Sequence, residues 1–314
     1  MRTPRRHFLQ TAGGLSLGLT LPHADAGATV RTALPNVRIG KFEISRLIIG
    51  ENPFYGYSHF NHILDQTMRE WYTPERVCEV LRRCEQNGVN TWEFTHSERS
   101  ISDLKRYKGE GGGLQWILLS SREMESNPGL IAEMAKLHPI AMMHHGGVTD
   151  RLFREGRADK VREYVKRVRD AGVLAGISTH NPDNVKRIED EDWDIDLYMT
   201  CCYRLTRTPE EIRQITREIP LPPGEVYLEG DPARMLEVVR QTKKTCLVFK
   251  ILAAGRRIGS PDEVDRAFQF AFDSIKPQDC VIVGMYPRYS DEVRDNCVRV
   301  RRILRAGSVD AGLG

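Results

Sequence analysis

The sequence predicts a (β/α)8 TIM barrel. Three observations carry that expectation. From Arg46 onward, short apolar runs alternate with amphipathic stretches eight times in about 260 residues, the length such a barrel takes (~250 residues). No GxGxxG follows an early apolar run, which argues against an open doubly wound sheet. Histidines also collect where the apolar runs end, and that is the face on which barrels of this kind build their sites.

The apolar runs read as strands are Leu47–Gly50, Asn90–Phe94, Gln115–Ser121, Ile140–His144, Leu174–Thr179, Asp196–Cys202, Thr245–Ile251 and Cys280–Met285. Helices are expected over Pro74–Asn87, Pro128–Leu137, Ala158–Ala171, Pro232–Thr242, Pro261–Ser274 and Ser290–Arg305. Their apolar residues recur at helical spacing, as in Val161, Tyr164, Val165 and Val168. Several start on a proline, which suits the first turn, and Gly88 and Gly172 follow helix ends. The proline-rich Ile219–Gly224 lies in a long connection between the sixth and seventh strands, and Val226–Glu229 just after it has the look of a further short strand.

Ahead of the barrel the chain carries Arg5 and Arg6, then Phe8 and Leu9, a mild apolar stretch to Leu21 and Ala24-Asp25-Ala26. This order of basic region, apolar region and A-x-A site resembles a twin-arginine export signal. It divides the chain into a signal peptide (1–26), an N-terminal extension or hairpin (27–45), a single barrel domain (46–305) and a flexible tail (306–314). The expected partner is the twin-arginine export machinery and the expected location is periplasmic. Removing residues 1–26 takes away Arg2, Arg5, Arg6 and Asp25, leaving 288 residues with 43 basic and 42 acidic side chains. So balanced a charge gives no footprint for nucleic acid. No apolar run approaches the roughly 20 residues of a transmembrane span. Seven cysteines, an odd number without CxxC spacing, read as small buried hydrophobes.

Beyond residue 26 there are seven histidines: His59, His62, His96, His138, His144, His145 and His180. All but His138 fall at the end of an expected strand or in the loop after it. Glu51, Glu93, Glu123 and Glu229 join that rim, and Lys250 sits near the end of an apolar strand, where it must be paired or desolvated. Glu93, Glu229 and Lys250 are therefore candidates for moving protons. Imidazoles beside carboxylates suit a divalent metal, Zn, Mn, Fe or Ni. The candidate ligands are Glu93, His96, His180 and one of His144 and His145, since consecutive strand residues face opposite ways; His145 is taken as the ligand. The aromatic-rich loop Gly50–His59 is a candidate substrate wall through Glu51, Asn52, Tyr55 and His59.

Val37–Gly40 with Ile44–Gly50, Gly88–Glu93, Met142–His144, Gly176–Pro182 and Val281–Gly284 together resemble the aldo-keto reductase superfamily over nearly the whole chain after the signal. The resemblance implies an aldo-keto reductase-like barrel and an NAD(P) cofactor, with Ser178, Arg288 and Ser290 at cofactor-binding positions. It also implies an Asp, Tyr, Lys and His tetrad. Here Glu93 stands at the Asp position, the Tyr position falls near Glu98, the Lys position falls at Ser120 or Ser121, and only His144 is retained. Without the Tyr–Lys pair the usual proton donor for carbonyl reduction is missing.

Three functions remain open at this level. One is an exported isomerase, epimerase or lyase that moves protons on a polyol or keto-sugar-like substrate, with or without a metal. Another is an NAD(P)-linked oxidoreductase with a divergent tetrad. The third is a non-catalytic sugar-binding protein.

Overall fold

The computed structural model describes residues 33–221 and 225–310. The expected signal peptide and residues 311–314 lie outside the described residues. A two-stranded antiparallel hairpin, β1 (Asn36–Ile39) and β2 (Phe42–Ser45), precedes the barrel. Eight parallel strands then close on themselves: β3 (Leu47–Gly50), β4 (Thr91–Thr95), β5 (Gln115–Leu119), β6 (Ala141–His144), β7 (Leu174–Thr179), β8 (Leu197–Cys201), β9 (Thr245–Phe249) and β10 (Cys280–Gly284), with β10 paired to β3. The expected (β/α)8 barrel is the fold. Val226–Glu229 is not a strand; barrel closure between β8 and β9 leaves no free edge for it.

Twelve α-helices surround the described barrel: α1 (His62–Trp71), α2 (Pro74–Gln86), α3 (Glu98–Gly109), α4 (Arg122–Ser126), α5 (Gly129–Ala135), α6 (Gly146–Arg154), α7 (Ala158–Asp170), α8 (Pro182–Asp190), α9 (Pro209–Thr216), α10 (Asp231–Gln241), α11 (Pro261–Ser274) and α12 (Glu292–Asp310). Their starts are written locally. Thr73, Ser97, Asn181, Thr208 and Ser260 each accept a first-turn backbone N–H, and Ser97 and Thr208 form reciprocal capping boxes. α12 continues to Asp310, five residues beyond its expected end. Among the described residues no helix is long and apolar enough to cross a membrane.

Two cores hold the barrel. Inside it, Ile48, Ile117, Leu119, Met143, Leu197, Met199, Leu247 and Ile282 pack in layers, joined by Ile39 and Ile44 of the hairpin. Outside it, Trp92, Phe94, Met142, Ile177, Val248 and Val281 meet the helices. The two-residue alternation of each strand sorts side chains between these cores. It therefore decides which rim residues face the mouth. All seven cysteines are free and buried.

Candidate functional site at the barrel mouth

Leu119, Met199, Phe249 and Ile282, which face inward from their strands, floor an open cavity of about 1680 Å³. Its walls are the loops after the strands, the usual position for a site in this fold.

One wall carries two buried carboxyls. Glu93 points inward from β4, between Trp92 and Phe94, which belong to the outer core. Its Cα is in register with Gly50 of β3, and Glu51 follows at once. Glu51 is 3% exposed and Glu93 5%. Burial pushes Glu51 up to about 8, although the Thr95 hydroxyl and amide hydrogen-bond to it. Burial, then the neighbouring Glu51 carboxyl, raise Glu93 well above the carboxylate range. Two such groups do not both ionise at neutral pH, so this wall holds a proton. Beside them Tyr55 donates its hydroxyl to Asp103 at 3.3 Å, and Arg99 clamps the same carboxylate at 2.8 Å. Burial, with Asp103 and Glu51 nearby, keeps the Tyr55 phenol protonated.

The facing wall carries bases. Eight strands close the ring, and β3 and β7 stand half a turn apart in it. His180, just after β7, hydrogen-bonds through Nδ1 to Asp150 Oδ2 at 3.0 Å. Asp150 is buried on α6 and also accepts from the His180 amide, the Thr179 and Thr206 hydroxyls and the Asn184 amide. Burial alone would raise Asp150, but the His180 and Thr179 bonds hold it below its ordinary value. An ionised acceptor at Nδ1 leaves the lone pair on Nε2. His145, one residue past β6, lines the same wall with a buried Nδ1 that has no hydrogen-bond partner. Burial, then the charges of His180, Lys250 and Arg122, lower it to about 4, so it is a neutral imidazole at pH 7. Gly146 makes this crowding possible: a Cβ there would stand 2.9 Å from both His180 Cε1 and Ser178 Oγ.

Between the walls lies Lys250. It sits just past β9 at a positive φ of 60° with its side chain 8% exposed, and Nζ is 3.6 Å from Glu225 Oε2. Glu225 also meets His59 Nδ1 at 3.0 Å and accepts from the Tyr227 hydroxyl at 2.7 Å. Burial works against its charge, yet the His59 hydrogen bond and the Lys250 charge bring it down to about 2. Asn52 reaches the other nitrogen of His59 at 3.2 Å.

Most sequence-predicted residues therefore meet here. Glu51, Asn52, Tyr55, His59, Glu93, His96, His145, Ser178, His180, Lys250 and Ser290 all line the cavity. Other expectations need correction. His144 does not face the mouth: strand alternation turns it outward with Met142, its Nδ1 lies 2.8 Å from Thr149 Oγ1, and its ring stands edge-on to Tyr164 of α7. Glu229 lies in a turn with its side chain 93% exposed beside Arg257. Glu225, four residues earlier, is the partner that Lys250 finds instead. Arg288 is exposed and donates to the hydroxyl of Tyr286, which lines the cavity, but is not itself part of the lining. Among the described residues no three His, Cys, Asp or Glu side chains are placed to hold a metal ion. His96 engages Ser121 and His180 engages Asp150 through Nδ1, and the expected ligands His96, His145 and His180 line the cavity without being gathered into such a group. Asp150 and Glu225 were missed altogether. A lone Asp within an amphipathic helix and a Glu after a proline run carry no local signature, and only the closed barrel brings them to the mouth.

No family model matches the chain, and no curated protein matches it. Among solved structures it is similar to a truncated 3-deoxy-D-arabino-heptulosonate 7-phosphate synthase from Thermotoga maritima, with a TM-score of 0.51 and 11% identity over 88% of this chain and 93% of that one. It is also similar to a thermostable aldo-keto reductase crystallised with the inhibitor epalrestat, with a TM-score of 0.50 and 13% identity over 88% and 94%. The structural neighbours thus include aldo-keto reductases among other TIM-barrel enzymes. At this identity the likeness is one of fold.

Proposed function

We propose that this barrel is an enzyme of the isomerase, epimerase or lyase type that moves protons on a small polyol or keto-sugar-like substrate. One observation carries the reading: an acid kept protonated and an imidazole anchored on a buried carboxylate share one cavity. The Glu51–Glu93 pair holds a proton at pH 7 and is the donor. His180 Nε2, with Nδ1 fixed on Asp150, is the acceptor. Lys250, tied to Glu225, supplies a positive charge beside a developing enolate oxygen. Proton transfer by positioned groups of this kind contributes roughly 10²–10⁴-fold to rate. No step requires the metal expected from the histidine count.

The test is proton exchange. Candidate ketoses, aldoses and polyols are incubated with the protein in D2O, and deuterium uptake at carbon is followed by NMR. The expected result is uptake that disappears in Glu93→Gln and His180→Asn. Wild-type protein that catalyses no exchange across the panel overturns the reading.

A second reading keeps the aldo-keto reductase resemblance and rests on the length of the cavity. The cavity continues from Ser178 past Tyr286 to Ser290, Asn296 and Arg299 at the start of α12, an extended course that suits a nucleotide. Ser178 and Ser290 would hold NAD(P), which would supply hydride. Arg299 is already engaged by Asp265 and Asn296. Nicotinamide nucleotide released on denaturation and detected by mass spectrometry would support this reading. The export signal belongs to the proposal too: replacing Arg5 and Arg6 by lysine is expected to keep the protein in the cytoplasm.

A further inference from the structure

The carboxyl pair and the Asp150–His180 dyad leave one part of the cavity unused. Arg122 at the start of α4, and Arg151 and Arg154 on α6, line it together with His145, Gly146, Gly147 and Val148. No acid lines this stretch. Glu125 and Glu155 do approach Arg151, each at 3.5 Å, but from outside the lining. Among the described residues the Arg122 guanidinium has no hydrogen bond or ion pair, although its carbonyl accepts from Ser126 Oγ. The helix start between these arginines is also unfilled. Most helices here begin under a side chain that accepts a first-turn N–H. α6 begins at His145 without one, and among the described residues the amides of Gly146, Gly147 and Val148 have no acceptor. The buried Nδ1 of His145 likewise has no partner.

We propose that Arg122, Arg151 and His145, with the open N-terminus of α6, form a subsite for an oxyanion group of the substrate, a phosphate or a carboxylate. The proposal rests on the reading of this cavity as a substrate site and names the substrate class as anionic. Helix amides and the helix dipole favour an anion at this end. Guanidinium groups add charge-assisted bonds in the planar geometry that such oxygens match. Gly147 lets an oxygen approach the backbone. A Cβ there would meet only the ring of its neighbour His145, at 3.5 and 3.6 Å, so the methyl-free surface is open on its cavity side.

The test uses the whole protein and isothermal titration with inorganic phosphate and with acetate, against chloride at equal ionic strength. Wild-type protein is expected to bind one or both in preference to chloride. Binding should weaken at least tenfold in R122A/R151A. Gly147→Ala should weaken it comparably without lowering the melting temperature, since alanine favours the helix, and that separates blocked binding from misfolding. Preference for phosphate assigns a phosphorylated substrate, preference for acetate an acidic one, and both results support the subsite. No binding beyond chloride, or unchanged affinity in both variants, overturns it. Proton exchange without anion binding would remove the subsite and leave the proposed reaction standing. Anion binding without exchange would do the reverse.

Discussion

The wall built from β3, β4 and the loop after Gly50 presents acids that have lost their charge, whereas the wall built from β6, β7 and α6 presents an acid that keeps it. Glu51, Glu93 and Asp150 are all buried, so burial alone does not decide. Asp150 receives five donors and stays ionised. Of the pair, Glu51 is hydrogen-bonded only through Thr95, and each carboxyl sits beside the other. Donor count and neighbouring charge thus turn one residue class into a proton donor on one side and a fixed anion on the other.

The strongest way to break this comparison is Glu93→Gln. The amide keeps the shape and removes the proton. Exchange in D2O is expected to fall by roughly 10²–10⁴-fold with the fold intact by circular dichroism. A wild-type rate would mean that the carboxyl wall is structural. Next is Asp150→Ala, which strands four residues' donors around a cavity. Urea unfolding should show a loss of about 3–5 kcal/mol, the usual cost of removing one partner from a buried charged network. A loss below about 1 kcal/mol would show that solvent replaces the carboxylate.

A smaller effect separates the signs of the two kinds of carboxyl. Glu51 titrates near 8 in the fold, above its ordinary 4.5. Its contribution to stability is complete below pH 4.5 and is lost as the pH rises through 8. Glu225 is depressed to about 2, so its contribution is present above pH 4.5 and is lost as the pH falls toward 2. Melting temperature against pH should therefore decline on both sides. Glu51→Gln should flatten the alkaline side and Glu225→Gln the acid side. If either variant flattens the opposite side, the assignment of charges to the walls is wrong.

The barrel was legible because its signal is repeated eight times and each repeat is local. Strand starts at Leu47, Gln115, Leu174, Thr245 and Cys280 agree with the alternation of apolar and amphipathic runs. Glu93, Lys250 and the histidine rim were legible for the same reason, since a strand's C-terminal end can be located from its own residues. Asp150 and Glu225 were not, because each reaches the site through a contact across 30 or 25 residues, to His180 and Lys250. Nothing in the neighbouring sequence encodes such a contact. Four of the six rim histidines, His59, His96, His145 and His180, do line the cavity. His62 instead begins α1 with its side chain 99% exposed, which shows that a rim position fixes height along the barrel and leaves direction to the backbone.

His144 gives the smallest expected effect and the sharpest test of the family resemblance. As the one retained member of a reductase tetrad, it would be expected to cost most of the activity when replaced. Strand alternation says otherwise: Ala141 and Met143 fill the interior, so Met142 and His144 face the helices. The Thr149 hydroxyl donates to the His145 carbonyl at 3.1 Å, which leaves His144 Nδ1 as the donor to Thr149 Oγ1 at 2.8 Å. Burial, followed by the nearby charges of His145 and Arg151, lowers His144 to about 3, so it is neutral throughout the working range. His144→Phe keeps the ring against Tyr164 and removes one neutral hydrogen bond, an expected loss of about 1 kcal/mol in urea unfolding. Turnover should stay within about twofold, because ordinary structural substitutions away from the reacting groups act on stability and not on the barrier. A large loss of turnover in a stably folded His144→Phe protein would restore the tetrad reading and move the reacting centre from the Glu51–His180 axis toward β6.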